Sequence, residues 1–141
     1  KNNIGDKIVG VEYSKDAIVL GKKLFPDLKF KEGSVYDLPY KDNSFDLVMC
    51  TEVLEHLTDS KKVFKELLRV SKKYVLISVP NEPFFMFGNF IRGKNLSRLG
   101  NDPNHVNHWI VISFINFVKK NGLKIRSVKL PFPWILVLGE K

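Results

Sequence analysis

The stretch Phe45-Asp46-Leu47-Val48-Met49-Cys50-Thr51-Glu52-Val53-Leu54-Glu55-His56-Leu57 constrains the fold more than any other in this chain. Residues 47–49 form a short apolar run of the kind a strand shows when a sheet covers both of its faces. The chain then turns polar at once, with Cys50, Thr51 and Glu52, and closes on Leu54-Glu55-His56-Leu57 ahead of a helical pattern. Open α/β sheets hold ligands at the C-terminal ends of such strands. A ligand site is therefore expected at this strand end.

The flanking chain alternates strand and helix. Residues 7–12 read as a strand, with β-branched Ile8, Val9 and Val11 closed by Glu12. Ser14 is a plausible N-cap, and Ala17, Leu20, Gly21, Leu24 and Phe25 repeat at helical spacing until Pro26. Residues 29–31 suit a short strand, Gly33 starts a loop, and Lys41-Asp42-Asn43-Ser44 is a polar turn before the central strand. Thr58, Asp59 and Ser60 offer N-caps for a helix whose stripe is Val63, Phe64, Leu67 and Leu68, ending near Val70. Residues 74–79 read as a further buried strand, stopped by Pro80. This order argues a doubly wound, mostly parallel α/β sheet.

From Asn81 to His108 the pattern breaks into an apolar patch, Phe84 to Ile91, and a polar segment punctuated by glycine and proline. The patch could be a lid over a substrate, a membrane- or partner-facing surface, or a helix packed on the sheet edge. A connection of this length inside a domain is usually functional or mobile. Val111, Phe114, Ile115 and Val118 then resume a helix with Gly122 at its C′ position, although Ile110 is a poor N-cap. Residues 123–130 and 134–139 flank Pro131-Phe132-Pro133 as an antiparallel hairpin.

With 141 residues the chain is expected to be one domain, and no linker, repeat or low-complexity segment divides it. No run is long enough for a transmembrane helix, and the single cysteine excludes an internal disulfide, so the cytoplasm is the default location. The net charge of +8 admits a nucleic-acid partner. However, the lysines are scattered as singles and pairs (Lys22-Lys23, Lys61-Lys62, Lys72-Lys73, Lys119-Lys120), which favours a solvated surface.

Glu12, at a strand tip, is placed as the ribose-binding acid of dinucleotide folds is placed. In those folds a glycine-rich turn precedes it by about 20 residues. Here only Gly5 lies upstream of that strand. Four blocks together resemble the class I S-adenosylmethionine-dependent methyltransferases, particularly the type 11 group. They are Val9-Gly10-Val11-Glu12-Tyr13-Ser14, Gly33 through Asp46, Glu52-Val53-Leu54-Glu55-His56 and Ser78-Val79-Pro80-Asn81. They occur in the family's order and cover roughly residues 7–82.

The resemblance implies S-adenosylmethionine as cofactor. Glu12 would hold the ribose hydroxyls and Tyr13 would lie against the adenine. Ser34 and Val35 would read the adenine edge, with Ser34 replacing the family's usual aspartate and Asp37 near enough to compensate. Cys50, Thr51 and Glu52 would floor the pocket beneath the sulfonium. Methyl transfer is an in-line displacement that depends on positioning. A general base is needed only for a protonated acceptor, and His56, His105 and His108 are the candidates. His56 reads equally as a loop-pinning residue paired with Glu55. The run His105-Val106-Asn107-His108-Trp109 has metal-ligand spacing, but no cysteine or carboxylate cluster lies near it in sequence, so no metal is expected.

The implied acceptor is a small molecule, a lipid or a glycan-linked metabolite. An RNA acceptor is the alternative, and it would require a concentrated basic face. A third reading is a non-catalytic remnant that cannot bind cofactor alone. It follows from topology: the family's glycine-motif strand lies between the strands ending at Glu12 and Cys50. Without it, those strands must pair directly or keep open edges. Lys1-Asn2-Asn3-Ile4-Gly5-Asp6 resembles the end of a preceding helix and its loop. The chain is accordingly expected to be an N-terminally truncated copy lacking at least ~30 residues, the size of a strand-turn-helix unit.

Overall fold

The computed structural model describes residues 7–141. The expected helix end and loop at residues 1–6 lie outside the described residues. The chain divides into two compact units, Lys1–Tyr40 and Lys41–Lys141.

The first unit is a strand, a helix and a strand. Strand β1 (Val9–Glu12) is rich in β-branched residues, which suit extended backbone. Ser14 caps α1 (Lys15–Leu24), its hydroxyl accepting from the Ala17 N–H at 3.3 Å and satisfying one of the helix's orphan donors. The helix ends at Phe25 because the residue before a proline is pushed out of helical geometry. Strand β2 (Lys29–Glu32) runs parallel to β1, with Gly10 opposite Phe30. A Cβ on Gly10 or Gly21 would stand 3.0 Å from the Phe30 ring, so both glycines let backbone approach that ring. The helical repeat of α1 is present, yet Leu20, Leu24 and Phe25 are exposed and Ile18 is the helix's buried side chain. A two-stranded sheet is too narrow to cover a helical face.

The second unit opens with β3 (Phe45–Thr51) and a single 3₁₀ turn at Leu54–His56. Helix α2 (Ser60–Val70) and β4 (Ser71–Pro80) follow, then α3 (Glu82–Ile91) and a 3₁₀ turn at Leu96–Arg98. Helix α4 (Val111–Lys120), β5 (Lys124–Lys129) and β6 (Trp134–Glu140) complete it. Its four strands are ordered β3-β4-β6-β5, with β3 parallel to β4 and the terminal hairpin antiparallel. The architecture is α/β.

Local chemistry sets these boundaries. Asp59 caps α2 by accepting from the Lys62 N–H at 2.9 Å. Ile110 cannot cap α4 with its own side chain, so Ser113 does the work from inside the helix. Its hydroxyl accepts from the Ile110 N–H at 3.1 Å and donates to the Ile110 carbonyl at 3.0 Å. Gly122 adopts a left-handed φ of 92° just beyond the end of α4. Residues 82–91, inside the segment where the periodicity breaks, form a regular helix with Pro83 in its first turn.

The core lies on the central strand. Val75, Ile77 and Val79 of β4 are fully buried, with Val63 and Phe64 of α2, Phe114 and Val118 of α4, and Ile135 and Val137 of β6. Each such side chain contributes about 1.5–3 kcal/mol of burial.

The structure corrects one expectation here. Strand β3 is not covered on both faces: Leu47 and Met49 are 39% and 59% exposed, whereas Cys50 is buried. Among the described residues, β3 pairs with β4 alone and is the edge of its sheet. The alternation places Val48 and Cys50 on the covered face and Leu47 and Met49 on the open one. In the first unit, β1 is hydrogen-bonded to β2 alone among the described residues. Among the described residues, no helix is long and apolar enough to cross a membrane.

Candidate functional site

In the first unit the candidates sit at the C-terminal ends of β1 and β2. Glu12 is the last residue of β1 and is half-buried. Its Oε1 accepts from the Ser14 N–H at 2.8 Å, which orients the carboxylate at the mouth of the turn. Tyr13 is 81% exposed and leaves its ring open. Residues 34–37 form a tight turn: the Asp37 N–H donates to the Ser34 carbonyl at 3.2 Å, and the Tyr36 N–H donates to Ser34 Oγ at 3.2 Å. Val35 is half-buried and Asp37 exposed in this turn. Ser34 Oγ thus already accepts one bond and retains one lone pair.

In the second unit Cys50, Thr51 and Glu52 end β3. Cys50 is buried, and burial first, then the charge of Glu55, pushes its thiol up to about 12. Thr51 is exposed. Glu52 has a left-handed φ of 55°, uncommon for a residue with a side chain. Two bonds from one residue hold it there. The Glu52 N–H donates to the Ser78 carbonyl at 3.2 Å, and the Ser78 hydroxyl donates to Glu52 Oε1 at 2.5 Å. Strain retained by such bonds at a strand end is characteristic of ligand sites.

The histidines gather beside this shelf's own loop. His56 ends the 3₁₀ turn, and its Nδ1 donates to the Asn104 carbonyl at 3.0 Å. His105 is buried, with Nδ1 2.6 Å from Glu82 Oε1. The His56 and His105 rings meet edge to face, 5.0 Å between centroids. His108 is exposed, and its Nδ1 lies 3.8 Å from the same Glu82 oxygen. Glu55 Oε1 lies 3.8 Å from His56 Nε2, and the Glu55 side chain is 1% exposed. Burial pushes the Glu55 carboxyl up to about 7, and the charges of Glu52 and Glu82 add to that shift. A backbone hydrogen bond and His56 oppose it. The second carboxylate oxygens of Glu55 and Glu82 are buried with no hydrogen-bond partner among the described residues.

Two participants were not legible as such. Glu82 appeared only as the start of an irregular segment, but as the first residue of α3 it supplies the carboxylate beside His105 and His108. No carboxylate cluster neighbours the His105–His108 run in sequence, but the fold brings Glu55 and Glu82 beside it. In the sequence, Asn107 is one residue of a polar segment. Its Nδ2 reaches the Leu54 carbonyl at 2.9 Å, the Leu57 carbonyl at 2.6 Å and Ser60 Oγ at 2.9 Å. The Val106 and Asn107 N–H groups both donate to the Glu55 carbonyl, at 2.8 and 3.0 Å. These five contacts tie residues 106–107 to the turn after β3 and the start of α2. An Asn in a long polar segment is the only hint the sequence carries, and it is a weak one.

A family model described as a methyltransferase domain matches residues 2–78. The uncharacterized methyltransferase YcgJ of Bacillus subtilis is 29% identical over 108 residues, covering 70% of this chain and 41% of that protein. A demethylmenaquinone methyltransferase of Renibacterium salmoninarum is 37% identical over 68 residues, covering 48% of this chain and 29% of that protein. The solved structure of the YcgJ protein superposes with a TM-score of 0.70 at 18% identity, over 96% of this chain and 82% of that one. The chain spans less than half the length of these two curated relatives.

Proposed function

The chain belongs to the type 11 methyltransferase-domain family of class I S-adenosylmethionine-dependent enzymes, and on that premise we propose that it serves methyl transfer to a small-molecule, lipid or glycan-linked acceptor. The observation that carries this reading is the strand end Cys50-Thr51-Glu52, inside the matched residues, with Glu52 held at a left-handed φ of 55°. S-adenosylmethionine, when bound, supplies an electrophilic methyl group on a positively charged sulfur.

The residues fit such a group within each unit. The oriented Glu12 carboxylate suits paired ribose hydroxyls, and the open Tyr13 ring suits a stacked purine. The Ser34 hydroxyl and Asp37 suit an exocyclic amine. In the second unit, Glu52 presents a carboxylate whose charge complements a sulfonium, with its geometry set by Ser78. Cys50 stays a neutral thiol, so it does not compete as a nucleophile for the methyl group. The protein's contribution is positioning and charge, which is what an in-line displacement needs. Of the three histidines, His56 and His108 have exposed rings within reach of a protonated nucleophile, whereas His105 is buried. A relative named demethylmenaquinone methyltransferase favours the small-molecule end of the acceptor range.

The test is calorimetric titration with S-adenosylmethionine, followed by a labelled-methyl screen across metabolite, lipid, glycan and RNA pools. Binding that is lost in Glu12→Ala, with label appearing in a non-RNA pool, supports the reading. Label confined to RNA replaces the acceptor class. Absence of both binding and transfer overturns the reading for this chain and leaves the non-catalytic one.

A further inference from the structure

We propose that Glu55, His56 and His105 form a binding site for a divalent transition-metal ion of the zinc or cobalt type. Ligand atoms of these three residues lie within 4.8 Å of one another. A tetrahedral ion with bonds of about 2.0–2.2 Å needs its ligands roughly 3.4 Å apart. The half-exposed His56 side chain is the member of the set with room to close that distance while its Nδ1 stays on the Asn104 carbonyl.

Three features point to an ion rather than to a self-contained hydrogen-bond cluster. First, the His56 tautomer is set for ligation. A carbonyl can only accept, so the Asn104 carbonyl at 3.0 Å places the proton on Nδ1. The Nε2 lone pair is then left on the side of Glu55 Oε1, 3.8 Å away. Second, Glu82 holds His105 by Nδ1 at 2.6 Å, leaving Nε2 as the available ligand. A carboxylate bonded to the far nitrogen of an imidazole is the standard outer support of a metal-bound histidine. Third, Glu55 Oε2 is buried and without a hydrogen-bond partner among the described residues. A buried carboxylate oxygen lacking a donor is costly, and a cation supplies what it lacks. The loop is also rigidly set, because Val106 and Asn107 both bond to the Glu55 carbonyl.

Two imidazoles and one carboxylate suit zinc, cobalt, manganese or ferrous iron better than magnesium or calcium. Three protein ligands leave at least one position open, as in catalytic rather than structural sites. With His56 42% exposed, solvent reaches the cluster, and the open position would take an oxygen ligand. Resting on the methyl-transfer reading, this makes a hydroxyl-bearing acceptor the matching substrate class. The ion site itself does not depend on that reading.

The experiment is titration of the 141-residue chain with cobalt(II) chloride, read by visible absorption and by equilibrium dialysis. The expected result is one ion per chain, displaced by zinc(II). Glu55→Gln, His56→Gln and His105→Gln should each weaken binding more than roughly 100-fold, and Glu82→Gln by about 10–100-fold, the usual effect of losing an outer support. His56 is exposed, so its variant keeps the fold, which circular dichroism verifies. Folded wild-type chain taking up no cobalt at millimolar cation overturns the site. So does uptake undiminished in His56→Gln. S-adenosylmethionine titration is a separate readout, so either proposal can fail alone.

Discussion

The two units place candidate ligand groups on very different supports. In Lys1–Tyr40, Glu12, Tyr13 and the 34–37 turn ride on two short strands and one helix, with Ile18 and Leu38 the buried apolar side chains among the described residues. In Lys41–Lys141, the strand end at Glu52 and the Glu55–His105 corner sit on a four-stranded sheet with a fully buried core. The contrast teaches where each kind of precision comes from. Around Glu12 and Ser34, local hydrogen bonds to neighbours two or three residues away set the geometry. Around Glu55 and His105, contacts spanning about fifty residues in sequence set it. The second kind depends on a stable core and the first does not.

The sharpest way to break the contrast is to damage the dense core. Phe64→Ala should lower the stability of the second unit by about 3–5 kcal/mol, read from urea or thermal unfolding. A loss under about 1 kcal/mol would mean that α2 is not packed as described. Next comes the long-range staple. Asn107→Ala removes the donor to the Leu54 and Leu57 carbonyls and should cost about 1–3 kcal/mol. It should also weaken any cobalt binding, because the loop carrying His105 is released.

The same contrast predicts that backbone amides of β1 and β2 exchange with deuterium well before those of β4 and β6, since local opening follows the density of buried contacts. Equal protection would contradict it. Cys50 gives a pH-dependent reading of the covered face of β3. With the thiol pushed up to about 12, its thiolate is scarce near neutrality and grows only as pH climbs toward that value. A disulfide reagent at mildly alkaline pH should therefore label Cys50 far more slowly in the folded chain than in urea. Prompt labelling of folded protein would show that the thiol is not buried. The smallest effect on stability belongs to Glu12→Ala, within about 0.5 kcal/mol, because only one exposed hydrogen bond is lost. Its expected effect is on S-adenosylmethionine affinity instead.

Much of this arrangement was legible from residues alone. Ser14 and the run Thr58-Asp59-Ser60 announced their helices because an N-cap is a local bond between a side chain and a backbone N–H three residues on, and the structure selects Asp59 from that run. The hairpin was marked by its proline-punctuated turn. The cover on β3 was not legible. Leu47 and Met49 are as apolar as Val48, and only the position of β3 at the edge of its sheet leaves them open. The same holds for the apolar residues of α3: Phe84, Phe87, Phe90 and Ile91 remain exposed.

What the sequence determined by itself was the order of elements, their caps and the strand end at Cys50-Thr51-Glu52, because each follows from short-range periodicity and local hydrogen bonding. What only the tertiary structure decided was the company His56 and His105 keep. No spacing in the chain relates Glu55 to Glu82 or Asn104 to His56. They meet because the first residue of α3 and the segment before α4 are hydrogen-bonded to each other and to the turn after β3, and burial there then sets the charge and hydrogen bonding of the corner.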